Sequence, residues 1–166
     1  MIGMGSYGMW FKAEHKYTKK IYAIKIMEKE MYKRKGIVHY ANTERAILEQ
    51  MDFPFIIKLR WAFQTKSYLC LVFDYYKNKD LWSALKKEKR FDEQRAKIYF
   101  CEALLSIEYL HAKDIAFRDI KPENILVDDN GHLVLTDFGI AKFLNSRKSH
   151  TFWGSTTYMS PEVLKK

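Results

Sequence analysis

Cysteine is scarce in this sequence, and the two residues present form no pattern. Cys70 and Cys101 each lie inside an apolar run, and no C-x-x-C spacing relates them. That argues against a disulfide framework or a thiolate metal site and predicts two buried free thiols in a reducing compartment. Long apolar runs are lacking too. None reaches the roughly 20 residues that span a bilayer, so no membrane partner is expected. The N-terminus has no charged-then-apolar leader, and Gly5 follows Met4 rather than the initiator, which argues against N-myristoylation. The expected location is intracellular and cytoplasmic.

What the chain does have is material for a core. Of 166 residues, 48% are hydrophobic and 16% aromatic, enough for one ordinary globular domain and too much for a disordered chain. A formal net charge of +9 raises nucleic acid as a partner. The cations are dispersed, with clusters at Lys33 to Lys35, Lys86 to Arg90 and Arg147-Lys148, and are not interleaved with aromatics as base-stacking surfaces require. A solvated basic surface is the expectation, with no nucleic-acid partner.

The most informative stretch runs from Ala116 to Ala141. Ile125 to Val127 and Leu133 to Leu135 flank Asn130-Gly131, a dipeptide that tolerates positive φ at both turn positions, so a hairpin is predicted. A turn centred between 130 and 131 would set Asn124 opposite Asp137. A carboxylate and a carboxamide converging without further protein ligands suit Mg²⁺, which keeps several waters and borrows oxygens from phosphates. Upstream, Asp119 offers a carboxylate to accept a proton, and Lys121 an ammonium to neutralise phosphoryl charge.

Phe117-Arg118-Asp119, then Lys121-Pro122-Glu123-Asn124, then Asp137-Phe138-Gly139 resemble the catalytic loop and metal-binding triplet of eukaryotic protein kinases, with Lys121 favouring the Ser/Thr branch. The resemblance implies phosphoryl transfer from ATP with Mg²⁺, to a protein or peptide substrate. It extends forward to Ile2-Gly3-Met4-Gly5-Ser6-Tyr7-Gly8, a G-x-G-x-x-G loop. A dinucleotide-binding unit would need this string after a strand and before a helix; instead, Met9 to Ala13 and Ile21 to Ile26 read as a hairpin. Tyr22-Ala23-Ile24-Lys25 is similar to the kinase strand whose lysine meets the α- and β-phosphates.

Between Gly36 and Met51 a helix would align Ile37, Ala41, Leu48 and Met51, with Glu44 in the middle of that apolar face. A carboxylate there needs a partner, and Lys25 is the expected one. Two further strands, Ile56 to Phe63 and Tyr68 to Phe73, would complete an antiparallel sheet. By resemblance, the backbone of Asp74 and Tyr76 would bond adenine, Phe73 would sit behind it, Ala23 and Leu126 would form roof and floor, and Asp80 would meet ribose.

From Asp92, a good N-cap, a helix begins that is apolar on almost every side. Thr151 to Gly154 and Ser160-Pro161-Glu162 resemble an activation segment and its close, in which an upstream kinase would act on Thr151 and Arg118 and Lys142 would receive the phosphate. Phe53-Pro54-Phe55, Phe117 and Thr151-Phe152-x-Gly154 narrow the likeness to the basophilic group that includes the cyclic-nucleotide-dependent kinases and protein kinase C. Glu123 would favour a basic residue near the acceptor. Three departures stand out: Trp10 where the family has a valine, Tyr40 where a histidine often stands, and Ser155-Thr156-Thr157 in place of Thr-Pro-Glu. The expectation is a two-lobed α+β fold, with residues 1–74 as the N-lobe and 75–166 as a partial C-lobe. It would be an incomplete domain, lacking the strand that leads into the glycine loop and the helices that cover the Asp92 helix; a catalytically inactive nucleotide-binding or interaction module is the alternative function.

Overall fold

The computed structural model describes residues 1–5, 8–78, 80–144 and 154–165. A five-stranded antiparallel sheet, in the order β1-β2-β3-β5-β4, occupies the first part of the chain. Its strands are β1 (Gly3–Gly5), β2 (Gly8–Glu14), β3 (Ile21–Glu28), β4 (Leu59–Gln64) and β5 (Tyr68–Asp74). Two helices, α1 (Lys29–Arg34) and α2 (Val38–Leu48), lie between β3 and β4. Then come α3 (Leu81–Glu88) and α4 (Glu93–His111), the short strands β6 (Ile115–Ala116), β7 (Ile125–Val127), β8 (Leu133–Leu135) and β9 (Lys142–Phe143), and α5 (Pro161–Leu164).

Strand alternation explains how the sheet serves the interior. Along β3, Ala23, Lys25 and Met27 are buried on one face, with Trp10 of β2 and Leu71 of β5 directly opposite Lys25. β2 comes close to β3 because Gly8 has no side chain: a Cβ there would lie 3.0 Å from the Ile26 carbonyl oxygen. One apolar cluster joins the two parts of the molecule. Met27, Ile47, Leu71 and Phe73 from above continue into Tyr99, Leu110, Ile115, Val134 and Phe138 below.

Several expectations change. The glycine stretch itself supplies the leading strand, Gly3 to Gly5 pairing with Gly8 to Trp10. β4 starts at Leu59 rather than Ile56; Ile57 N–H instead donates to Leu135 O (2.9 Å), tying the segment before β4 to the β7-β8 hairpin. That hairpin turns on three residues rather than two. Asp128 accepts the N–H groups of Asn130 and His132 (both 2.8 Å), and only Gly131 takes positive φ (+87°), so the register shifts by one and Asn124 O receives Thr136 N–H, not a partner at Asp137. Cys70 is buried, but Cys101 is exposed on α4.

Candidate active site

Lys25 is 1% exposed, and its ammonium lies 2.7 Å from Glu44 Oε1 of α2 and 3.1 Å from Asp137 Oδ1 beyond β8. Burial alone would lower its pKa; the two carboxylates outweigh that and push it above its ordinary value. Burial likewise works against the Asp137 carboxylate, and Lys25 reverses it, holding Asp137 below the usual range. Glu44 Oε2 is buried with no hydrogen-bond partner among the described residues. The pair thus rests on one short bond. Asp137 adopts φ +60°, a left-handed conformation stabilised in part by Gly139 N–H donating to its Oδ1 (3.4 Å).

Asp119 is held from several sides. Its Oδ2 accepts from Asn124 Nδ2 (2.8 Å) and faces Lys121 Nζ (2.8 Å); its Oδ1 accepts from Ser155 N–H (3.1 Å) and Ser155 Oγ (2.9 Å). Lys121 Nζ also donates to Ser155 Oγ (3.0 Å). The segment carrying Ser155 can sit so low because of Gly154. At φ +124°, a Cβ there would lie 2.5 Å from the Arg118 carbonyl oxygen. Arg118 braces the same loop, donating through Nε to Ile140 O (2.7 Å) and hydrogen-bonding Tyr40 of α2, while its half-burial lowers its pKa.

Between sheet and hairpin lies a cavity of about 600 Å³, lined by both apolar and charged groups. Of the residues expected to bind a nucleotide, Ile2, Gly3, Trp10, Ala23, Asp74, Tyr76, Asp80, Leu126, Asn124 and Asp137 line it, as do Lys121 and Glu123. Gly5 and Gly8 pair with each other across β1 and β2, and Lys25 and Glu44 stay buried behind the wall. Asp80 also caps α3, its carboxylate accepting from Ser83 N–H (2.8 Å) and Oγ (2.9 Å). Asp74 is held by Arg60 and Lys20, which outweigh its burial and lower its pKa; burial and Asp74 together push the Tyr76 hydroxyl up to about 12.

Asn124 and Asp137 both line this cavity. Hard oxygen donors of this kind fit Mg²⁺. Among the described residues, no group of three or more His, Cys, Asp or Glu side chains could hold a metal ion by itself, and no helix is long and apolar enough to cross a membrane. Thr151 lies outside the described residues. Sequence reasoning left Ser155 without a contact and missed Glu102 altogether. Glu102 is a buried carboxylate of α4 that receives Leu133 N–H (2.8 Å) and meets His132 Nδ1 (2.6 Å), and its signal was a charge within the apolar stripe of Tyr99, Ala103 and Leu110.

Residues 1–166 match the family described as Protein kinase domain. Serine/threonine-protein kinase sgk-1 of Caenorhabditis elegans is 43% identical across 99% of this chain and 36% of that protein. Serine/threonine-protein kinase AtPK1/AtPK6 of Arabidopsis thaliana is 40% identical across 99% and 36%, and SCH9 of Saccharomyces cerevisiae 41% across 99% and 20%. The chain therefore spans between about a fifth and just over a third of the length of these relatives. With this match over its whole length and a mixed α+β fold built on an antiparallel sheet, the chain belongs to the protein kinase domain family, on its serine/threonine side.

Proposed function

We propose that the cleft transfers the γ-phosphoryl group of ATP to serine or threonine hydroxyls of protein or peptide substrates. The observation that carries this is the seat of the Ser155 hydroxyl, 2.9 Å from Asp119 Oδ1 and 3.0 Å from Lys121 Nζ. A substrate hydroxyl in an equivalent seat would have a carboxylate to take its proton and an ammonium to offset phosphoryl charge. Asp119 takes the proton as the hydroxyl oxygen bonds to the γ-phosphorus; the bond from that phosphorus to the β,γ-bridging oxygen breaks, and ADP leaves. Asn124 and Asp137 would hold Mg²⁺, which neutralises phosphate oxygens when bound. Lys25, fixed by Glu44, serves the α- and β-phosphates, while the Asp74 and Tyr76 backbone, Ala23, Leu126 and Asp80 receive the nucleoside. Glu123, on the cavity wall, favours a basic residue near the acceptor. Residues 1–74 and 75–166 act as the two lobes of this machinery, and phosphorylation of Thr151 by an upstream kinase would regulate it.

Asp119→Ala should leave Mg-ATP binding nearly intact and lower the rate of transfer to a basic peptide by about 10²–10⁴-fold. Asp137→Asn should weaken Mg²⁺-dependent nucleotide binding. Equal affinities for the parent chain and Asp137→Asn in titrations with Mg²⁺ would remove the metal assignment. A second reading, a nucleotide-binding module without turnover, is favoured by one observation: both Asp119 oxygens already have partners within the chain. Nucleotide binding without measurable peptide phosphorylation would select it.

A further inference from the structure

Trp10 lines the cavity and packs against two buried side chains that do not. Its ring centroid is 5.5 Å from that of Phe73, and the Lys25 ammonium sits 5.8 Å from the indole centroid. Trp10 and Lys25 are directly opposite across β2 and β3, so both side chains leave the same face of the sheet. Trp10 lines the cavity; Lys25 and Phe73, each 1% exposed, do not, although Ala23 beside them and Asp137 across from them do. Of the groups around the ammonium, the cavity thus touches the indole and Asp137 but not the ammonium itself.

We infer that Trp10 is a built-in stopper that separates the nucleotide cavity from Lys25, so that the phosphates of a bound nucleotide reach the lysine only when the indole moves aside. This rests on the nucleotide reading of the cavity given above. Two attractions hold the stopper: the indole face is negative and faces an ammonium that cannot reach water, and its ring packs on Phe73. The side chain works as a specificity element. It admits a nucleoside to the outer cavity and withholds the lysine's contribution to phosphate binding.

The test compares Mg-ATP with adenosine in equilibrium titrations of the full chain as Trp10→Val and Trp10→Leu beside the parent. Circular dichroism and the thermal transition identify which variants are folded; the Leu variant keeps bulk on Phe73. If the stopper is real, the preference for ATP over adenosine should rise about tenfold in the folded variants, because a charge-assisted contact to Lys25 becomes available. An unchanged preference, with both ligands binding, overturns the stopper and leaves the nucleotide reading standing. Failure of the parent and of every folded variant to bind either ligand overturns the nucleotide reading, and the inference falls with it; binding by the parent alone shows that the indole holds the ligand and overturns the stopper only.

Discussion

At the scale of the residue, the Lys25 ammonium sets the terms. A buried charge is tolerable only where its partners are close, and here one partner comes from α2 and one from the segment after β8. Glu44→Ala removes the shorter of the two contacts and should lower unfolding stability by about 3–5 kcal/mol, read from urea midpoints. A loss below about 1 kcal/mol would mean that Asp137 alone suffices. The pairing of Lys25 with Glu44 was legible in the sequence because a carboxylate inside an apolar helical stripe needs a partner. The engagement of Asp119 by Ser155 was not. It depends on Gly154 lying against the Arg118 backbone, a close approach between segments 36 residues apart that no local pattern encodes.

At the scale of the element, local chemistry was readable and tertiary competition was not. Asp92 caps α4 through Arg95 N–H (2.8 Å), as its place before an apolar run implied. Asn130-Gly131 does mark a hairpin, but the Asp128 carboxylate captures two backbone N–H groups and turns a two-residue loop into three, shifting every cross-strand pair by one. Helices α1 and α3 escaped notice because each is short, and Asp80 read as a binding residue when it is also a cap. The same hairpin carries a pH dependence. Hydrogen bonding and charge from Glu102 raise the His132 pKa above its ordinary 6.5, so the folded state favours the protonated ring. That contribution is fully present below about pH 6.5 and is lost as pH rises through the higher folded value. The stability advantage of the parent over His132→Gln should therefore shrink between pH 6 and pH 8.5. Urea unfolding at both pH values checks it, and a constant difference would show that the pair does not titrate in this way.

At the scale of the whole molecule, α4 has two characters. One side, with Tyr99, Ser106 and Leu110, is buried; the other carries Ile98, Phe100, Leu104 and Leu105 exposed, Phe100 at 69%. Cys101 read as a core thiol because its apolar neighbours read as core, yet they lie on the exposed side. Large apolar side chains gathered on one surface are an association hazard. The chain is expected to bind a hydrophobic dye and to self-associate, and Phe100→Glu with Leu104→Lys, an i,i+4 pair of favourable sign, should reduce dye fluorescence severalfold and raise the monomer fraction in sedimentation. Unchanged dye binding would place the exposed apolar surface elsewhere.

The two carboxylates on Lys25 also differ in how far along the chain they come from. Glu44 is 19 residues away and Asp137 112, so closing the second loop costs about 1.6 kcal/mol more in chain entropy on logarithmic scaling. Loop entropy alone therefore predicts that the contact to Glu44 forms before the contact to Asp137. In stopped-flow experiments, a change at Glu44 should act mainly on the refolding limb, and Asp137→Asn mainly on the unfolding limb. A side chain with two carboxylate partners would thereby be divided in time, and the rate at which the cleft comes apart should respond to Asp137 more than to Glu44.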